Sequence, residues 1–135
     1  MSDSTDPREY EVAVVGGGPA GLSAALYTTR LSHDTVLVDR GGGRAAMMQD
    51  THNVIGITED VTGNEYLQTG KEQIQAYGAD VERGFVQSLE RRAEDDRFLL
   101  DTGDTQFVVD AVVLATGFSD ARPDPPLPRT GKGLH

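Results

Sequence analysis

Six residues constrain this chain more than any others. Gly16-Gly17-Gly18-Pro19-Ala20-Gly21 match the pattern G-x-G-x-x-G and sit between two runs of opposite character. Before them, residues 11–15 (EVAVV) form a short apolar run that reads as a buried strand. After them, residues 20–31 are rich in helix formers, including Ala24, Ala25 and Leu26. Pro19 stands where a first-turn proline costs nothing, because its missing N–H would be unpaired there anyway. A second apolar run at 35–38 (TVLV) completes strand, turn, helix and strand, which is one βαβ unit of about 30 residues. Each glycine then has a physical task. Gly16 permits the tight turn, Gly18 lets a pyrophosphate approach bare backbone, and Gly21 lets the helix pack closely on the sheet. The helix start beyond Pro19 and Ala20 offers unpaired N–H groups and a partial positive charge to an anion. Asp39, 18 residues after Gly21, stands where a carboxylate would hold ribose hydroxyls, and it disfavours a 2′-phosphate, so NADP is not expected at this site. A plain glycine turn in an α/β domain is the competing reading. The flanking strand, helix and acid weigh against it.

At 135 residues the whole chain fits one domain rather than two. Residues 41–63 show no sustained period, and a loop of that length in a compact domain is usually functional. A helix is expected at 65–77, with Leu67, Ile74 and Tyr77 on one face and Gly78 as its C-cap. Three short strands are expected at 85–89, 98–101 and 106–109, separated by Glu94-Asp95-Asp96 and Thr102-Gly103-Asp104, as in an antiparallel meander. Residues 111–115 read as a further strand buried on both faces. The expected fold is therefore α/β: a Rossmann-like parallel sheet with helices and an inserted three-stranded antiparallel meander. Residues 1–9 read as a flexible acidic tail, 10–118 as the domain, and the Pro-rich 119–135 as a linker.

Composition narrows the chemistry. The chain has no cysteine and only three histidines, His33, His52 and His135, so thiol catalysis and a thiolate metal site are excluded within it and a metal-centred mechanism is not expected. Its net charge is −10. That surface repels nucleic acid and acidic membranes, so neither is an expected partner. Lysine occurs only at 71 and 132; many carboxylates with few lysines suit work in concentrated salt, where screening shortens their repulsion. No apolar stretch approaches the roughly 20 residues of a membrane span, and the acidic N-terminus is unlike a secretion signal. A cytoplasmic location is the default.

Three ordered segments resemble one family. Residues 12–25 (VAVVGGGPAGLSAA) are similar to the opening of the pyridine nucleotide–disulfide oxidoreductases, in particular the thioredoxin reductase-like branch. Residues 42–56 (GGRAAMMQDTHNVIG) resemble that branch's flavin loop, and 114–117 (LATG) its A-T-G segment. The resemblance runs from about residue 10 to 118 and implies FAD as the ligand of the glycine turn. It places Asn53 at a flavin-contacting position, Val86 beside the adenine, and Thr116 and Gly117 along the cofactor's edge. Arg44 and Met48 stand in the flavin loop where thioredoxin reductases more often carry Gln and Thr, which points to a relative with a different disulfide or small-molecule acceptor.

The same resemblance implies a second domain for NAD(P)H after the A-T-G segment, carrying the redox Cys-x-x-C of disulfide-reducing members, and then a return with a Gly-Asp flavin-phosphate clamp. Neither is present in these 135 residues. Residues 130–135 resemble the lead into that second domain. The chain is thus expected to bind FAD weakly and to be inactive towards NAD(P)H alone, as a shortened gene product or one part of a split enzyme; a second copy or an NAD(P)H-domain partner would cover its sheet edges. No catalytic acid or base is nominated. Competing functions are a non-catalytic dinucleotide-binding or interaction module and a fragment of an NAD-linked dehydrogenase, although a plain NAD domain would continue βαβ where the meander is expected. Arg40 reads equally as a phosphate partner or a solvated cation. His52 reads as a loop histidine before a flavin contact, Tyr27 and Tyr77 as helix residues rather than stacking groups, and Glu94-Asp95-Asp96 as a solvated turn.

Overall fold

The computed structural model describes residues 6–50 and 52–118; the 119–135 linker and most of the acidic tail lie outside the described residues. Strands β1 (Arg8–Val15), β2 (Thr35–Asp39) and β3 (Asp80–Arg83) are joined by helices α1 (Pro19–Arg30) and α2 (Gly63–Ala76). Strands β4 (Ser88–Arg91), β5 (Phe98–Asp101) and β6 (Gln106–Leu114) follow. The six form one sheet in the order β3-β2-β1-β6-β5-β4. β2 and β6 flank β1 in parallel and β3 runs parallel to β2, while β4, β5 and β6 pair antiparallel. This is the expected parallel sheet with a meander.

β1 explains why its sequence is a solid apolar run. Val12 and Val14 face the helices with Leu22, Ala25, Leu37, Leu67 and Ile74. Ala13 and Val15 face the other way, among Tyr10, Val36, Val38, Leu100, Phe107 and Val109. Both faces are covered, so alternation would be destabilising; each fully buried valine or leucine contributes about 1.5–3 kcal/mol. α2 is amphipathic with a polar outer face, and only Gly63, Leu67 and Ile74 are buried along it.

Several elements differ from the sequence reading. β1 reaches back to Arg8, so Arg8 and Glu9 belong to the sheet, paired with Phe107 and Val108, and Arg8 is anchored by Glu82 at 2.8 Å. β3 was not expected: its sequence, DVER, is mostly polar because it is an edge strand. The strand expected at 85–89 forms instead at Ser88–Arg91. Its forerunner, 84–87, is held out of the ladder, with the Gly84 N–H on the Asp39 carbonyl and the Gln87 N–H on the Asp101 carbonyl. Finally, 106–109 and 111–115 are one strand ending at Leu114. Asp110 does not break it, since its carboxylate turns outward to accept from Arg97 Nε at 2.8 Å.

α2 starts two residues before its expected start. Thr62 accepts from the Glu65 N–H at 3.2 Å, and its hydroxyl meets the Glu65 carboxylate at 3.1 Å, a Thr-x-x-Glu capping arrangement. Among the described residues no helix is long and apolar enough to cross a membrane.

Candidate functional site

The glycine turn lies where β1, β2 and β6 end together. The Gly16 N–H donates to the Val38 carbonyl at 2.9 Å and the Ala115 N–H to the Val15 carbonyl at 2.8 Å. Gly16 adopts φ +110°, and a Cβ there would lie 2.2 Å from the Ala115 carbonyl oxygen. A Cβ on Gly21 would lie 1.8 Å from the Gly16 carbonyl oxygen. These two positions are glycine because protein backbone already fills the space. Gly17 is closed too, its Cβ position being 2.5 Å from Asp39 Cγ.

Gly18 is different. It caps α1 with φ −79° and ψ −174° and has no side-chain cap. Nothing lies within 4 Å of where its Cβ would be. Its backbone is one that any residue adopts, so neither strain nor packing requires glycine. Gly18 stands at the N-terminus of α1, whose leading N–H groups have no intrahelical partner. The first helical bond runs from the Leu22 N–H to the Gly18 carbonyl. This open helix N-terminus is a cradle that fits an anion.

Asp39 ends β2 against this turn. Its Oδ1 accepts from the Gly17 N–H at 3.1 Å, and its Oδ2 pairs with Lys71 Nζ at 3.1 Å. Burial is the largest single influence on this carboxyl and pushes its pKa upward. The Lys71 ammonium and the N–H groups of Gly41 and Gly17 together outweigh it and hold the pKa below the ordinary value. Asp39 is thus ionised, beside the turn and not across the molecule from it. Lys71 entered the sequence reading only through its charge, not as a site residue. Helix periodicity places it on α2, but only the fold brings it to β2.

The remaining candidates separate into two groups. Pro19 and Ala20 open α1 at the cradle, both exposed. Thr116 and Gly117 continue from β6, and Thr116 Cα lies 3.2 Å from the Gly16 Cβ position. Val86 packs on the meander-side core, in the segment whose Gly84 bonds Asp39. Pro19, Ala20 and Thr116 thus lie at the turn, while Val86 is linked to it only through Gly84. Arg40 does not point at it; its guanidinium lies over the Phe85 ring, 5.4 Å from the centroid. Arg44 stacks on Phe118 at 4.2 Å, so the 41–62 loop touches the chain leaving β6. The Met48 carbonyl accepts from the Gly63 N–H at 2.8 Å. Asn53 is exposed, and among the described residues no hydrogen bond ties its side chain to the turn. His52 sits between Asp50 at 3.2 Å and Glu59 at 3.5 Å. Tyr27 is exposed on α1, and Tyr77 caps the end of α2 exposed instead of sharing the buried face of Leu67 and Ile74; Arg92 pairs with Glu94 and Asp95 in the acidic turn.

A parallel sheet with a glycine turn, an open helix N-terminus and an acid at the end of β2 defines a dinucleotide-binding domain of the Rossmann type. Residues 10–134 match the model of the pyridine nucleotide-disulphide oxidoreductases, and the chain belongs to that family. It is similar to the thioredoxin reductase of Treponema pallidum (strain Nichols), 34% identical over 111 residues, which is 81% of this chain and 36% of that protein. It is also similar to the thioredoxin reductase of Helicobacter pylori (strain J99), 35% identical over 83% of this chain and 37% of that one. Among solved structures, a thioredoxin reductase from Gloeobacter violaceus superposes with a TM-score of 0.76 at 30% identity, over 86% of this chain and 38% of its own. The chain thus spans little more than a third of the relatives it matches.

Proposed function

We propose that this chain is the FAD-binding portion of a thioredoxin reductase-like flavin oxidoreductase, and that turnover requires a separate nucleotide domain for NAD(P)H. One observation carries the reading: Gly18 caps α1 with open space where its side chain would stand, so neither packing nor backbone strain accounts for it. The cradle beside it fits a diphosphate, and the ionised Asp39 fits the sugar beyond. Gly16, Gly18, Pro19, Ala20 and Gly21 would hold the diphosphate, Asp39 a ribose hydroxyl, Val86 the adenine, and Thr116 and Gly117 the cofactor's edge. Met48, Arg44 and Asn53 would bring the 41–62 loop to the flavin end, with Arg40 outside the contact set. When bound, FAD supplies the redox chemistry, accepting a hydride and passing electrons to a disulfide or another acceptor. The chain's own residues bind and orient; none acts as acid or base in this reading. The acidic surface supports a cytoplasmic protein without nucleic-acid or membrane partners.

The test is an absorbance spectrum of the purified chain after incubation with FAD and removal of free cofactor. Retained flavin bands that NADH and NADPH leave unbleached are the expected result. A chain that keeps no flavin at any salt concentration rules out the FAD reading. Bleaching by either nucleotide rules out the need for a second domain.

A further inference from the structure

Asp39 poses an electrostatic problem. Its carboxylate is one hydrogen bond from the turn, at 3.1 Å from the Gly17 nitrogen, in a chain of net charge −10. A bare carboxylate there would repel an incoming diphosphate. The fold answers with Lys71, the only lysine among the described residues. Gly70 brings it into reach: a Cβ at that position would lie 2.8 Å from Leu22 Cδ1, so α2 lies close against α1 just where Lys71 begins. The Lys71 ammonium meets Oδ2 at 3.1 Å, with the side chains only 27% and 14% exposed, so the pair is shielded better than a surface ion pair. Gly17 holds the other oxygen, which fixes the carboxylate's rotation. A carboxylate has about four acceptor positions; Gly17 takes one on Oδ1 and Lys71 one on Oδ2, which leaves capacity for a hydroxyl.

Resting on the FAD reading above, we infer that Lys71 is a positioning residue for the adenosine half of the cofactor, aiming the Asp39 carboxylate at the ribose and cancelling its charge beside the diphosphate. Lys71 acts through Asp39 and does not itself belong to the glycine motif.

Fluorescence titration of the full chain with FAD, at low salt and at 1 M salt, tests this in wild type, Lys71→Met, Lys71→Arg and Asp39→Asn, with thermal melts of each apo chain. At low salt Lys71→Met is expected to raise Kd about fivefold, and Lys71→Arg to restore it to within about twofold. At about 1 M salt, where screening shortens to roughly 3 Å, the Lys71→Met loss shrinks. Lys71→Met combined with Asp39→Asn is expected to bind no worse than Asp39→Asn alone, because the charge needing balance has gone. If Lys71→Met binds FAD like wild type while Asp39→Asn binds it weakly, the role assigned to Lys71 is wrong and the FAD site stands. A loss that salt does not reduce and arginine does not rescue marks a purely structural lysine and also overturns the inference. If the wild-type chain holds no FAD, or Asp39→Asn changes nothing, the site reading itself falls.

Discussion

The chain has two glycine-rich stretches near the same end of its sheet, Gly16-Gly17-Gly18 and Gly41-Gly42-Gly43. In the first, Cβ atoms on Gly16 and Gly17 would lie 2.2 and 2.5 Å from atoms already in place. In the second, Gly42 and Gly43 have φ of +74° and +95° with nothing near their Cβ positions. The first stretch is glycine mainly because the molecule is dense there, the second because the backbone bends left-handedly in open space. Density fixes a site before any ligand arrives. An open left-handed bend only permits a loop, and this loop carries Met47 at 80% and Ile55 at 103% exposure. Gly18 belongs to the dense stretch yet is itself open, which is how a binding point differs from its scaffold.

Substitutions can break this contrast. Gly16→Val combines a left-handed backbone with a clash against Ala115, and we expect a loss of about 3 kcal/mol or more, read as the thermal midpoint by circular dichroism. Gly18→Ala should lower that midpoint by no more than the roughly 1 kcal/mol that alanine costs at an N-cap, while FAD affinity falls about tenfold, near 1.4 kcal/mol, by fluorescence titration. A parallel loss of stability would show that Gly18 serves packing after all. Gly42→Ala meets no clash, so only the left-handed backbone opposes it, at about 1 kcal/mol in a urea melt; a loss like that of Gly16→Val would place the loop among the dense regions.

The smallest effect is a pH dependence. Folding lowers the Asp39 pKa, so its contribution is fully present above the unfolded-state value of about 3.9 and is lost as pH falls through the lower folded value. Between pH 6 and pH 3 the urea midpoint of Asp39→Asn should therefore fall less than that of wild type. Equal falls would mean that the Lys71 and Gly17 contacts do not favour the carboxylate over the neutral acid.

Local chemistry was legible and long-range chemistry was not. The β1–α1–β2 unit could be read because its glycines, helix formers and apolar runs follow one another within about 30 residues. Asp39 could be read by its offset from Gly21. Thr62 and Glu65 also carried a legible signal, the Thr-x-x-Glu spacing, which the reading passed over because the preceding loop lacks any period. β3 was hidden, since a polar edge strand has no apolar alternation to detect. The Lys71–Asp39 pair spans 32 positions in sequence, and helical spacing on α2 says nothing about which strand end it reaches. The continuity of β6 was hidden by Asp110, whose polar side chain resembles a break until Arg97 is placed beside it.

β6 also sets a condition on how the molecule is made. The middle of the sheet pairs Val12 with Ala111 and Val15 with Leu114, joining positions about a hundred residues apart. During synthesis β1 leaves the ribosome before β2 and can close with it early, but its other edge stays unpaired until β6 emerges. At about 5–20 residues per second, that interval lasts several seconds. An apolar strand edge left bare for so long invites pairing with another nascent chain. The same connectivity that gathers the site's parts thus leaves one edge of β1 open to mispairing until β6 is made.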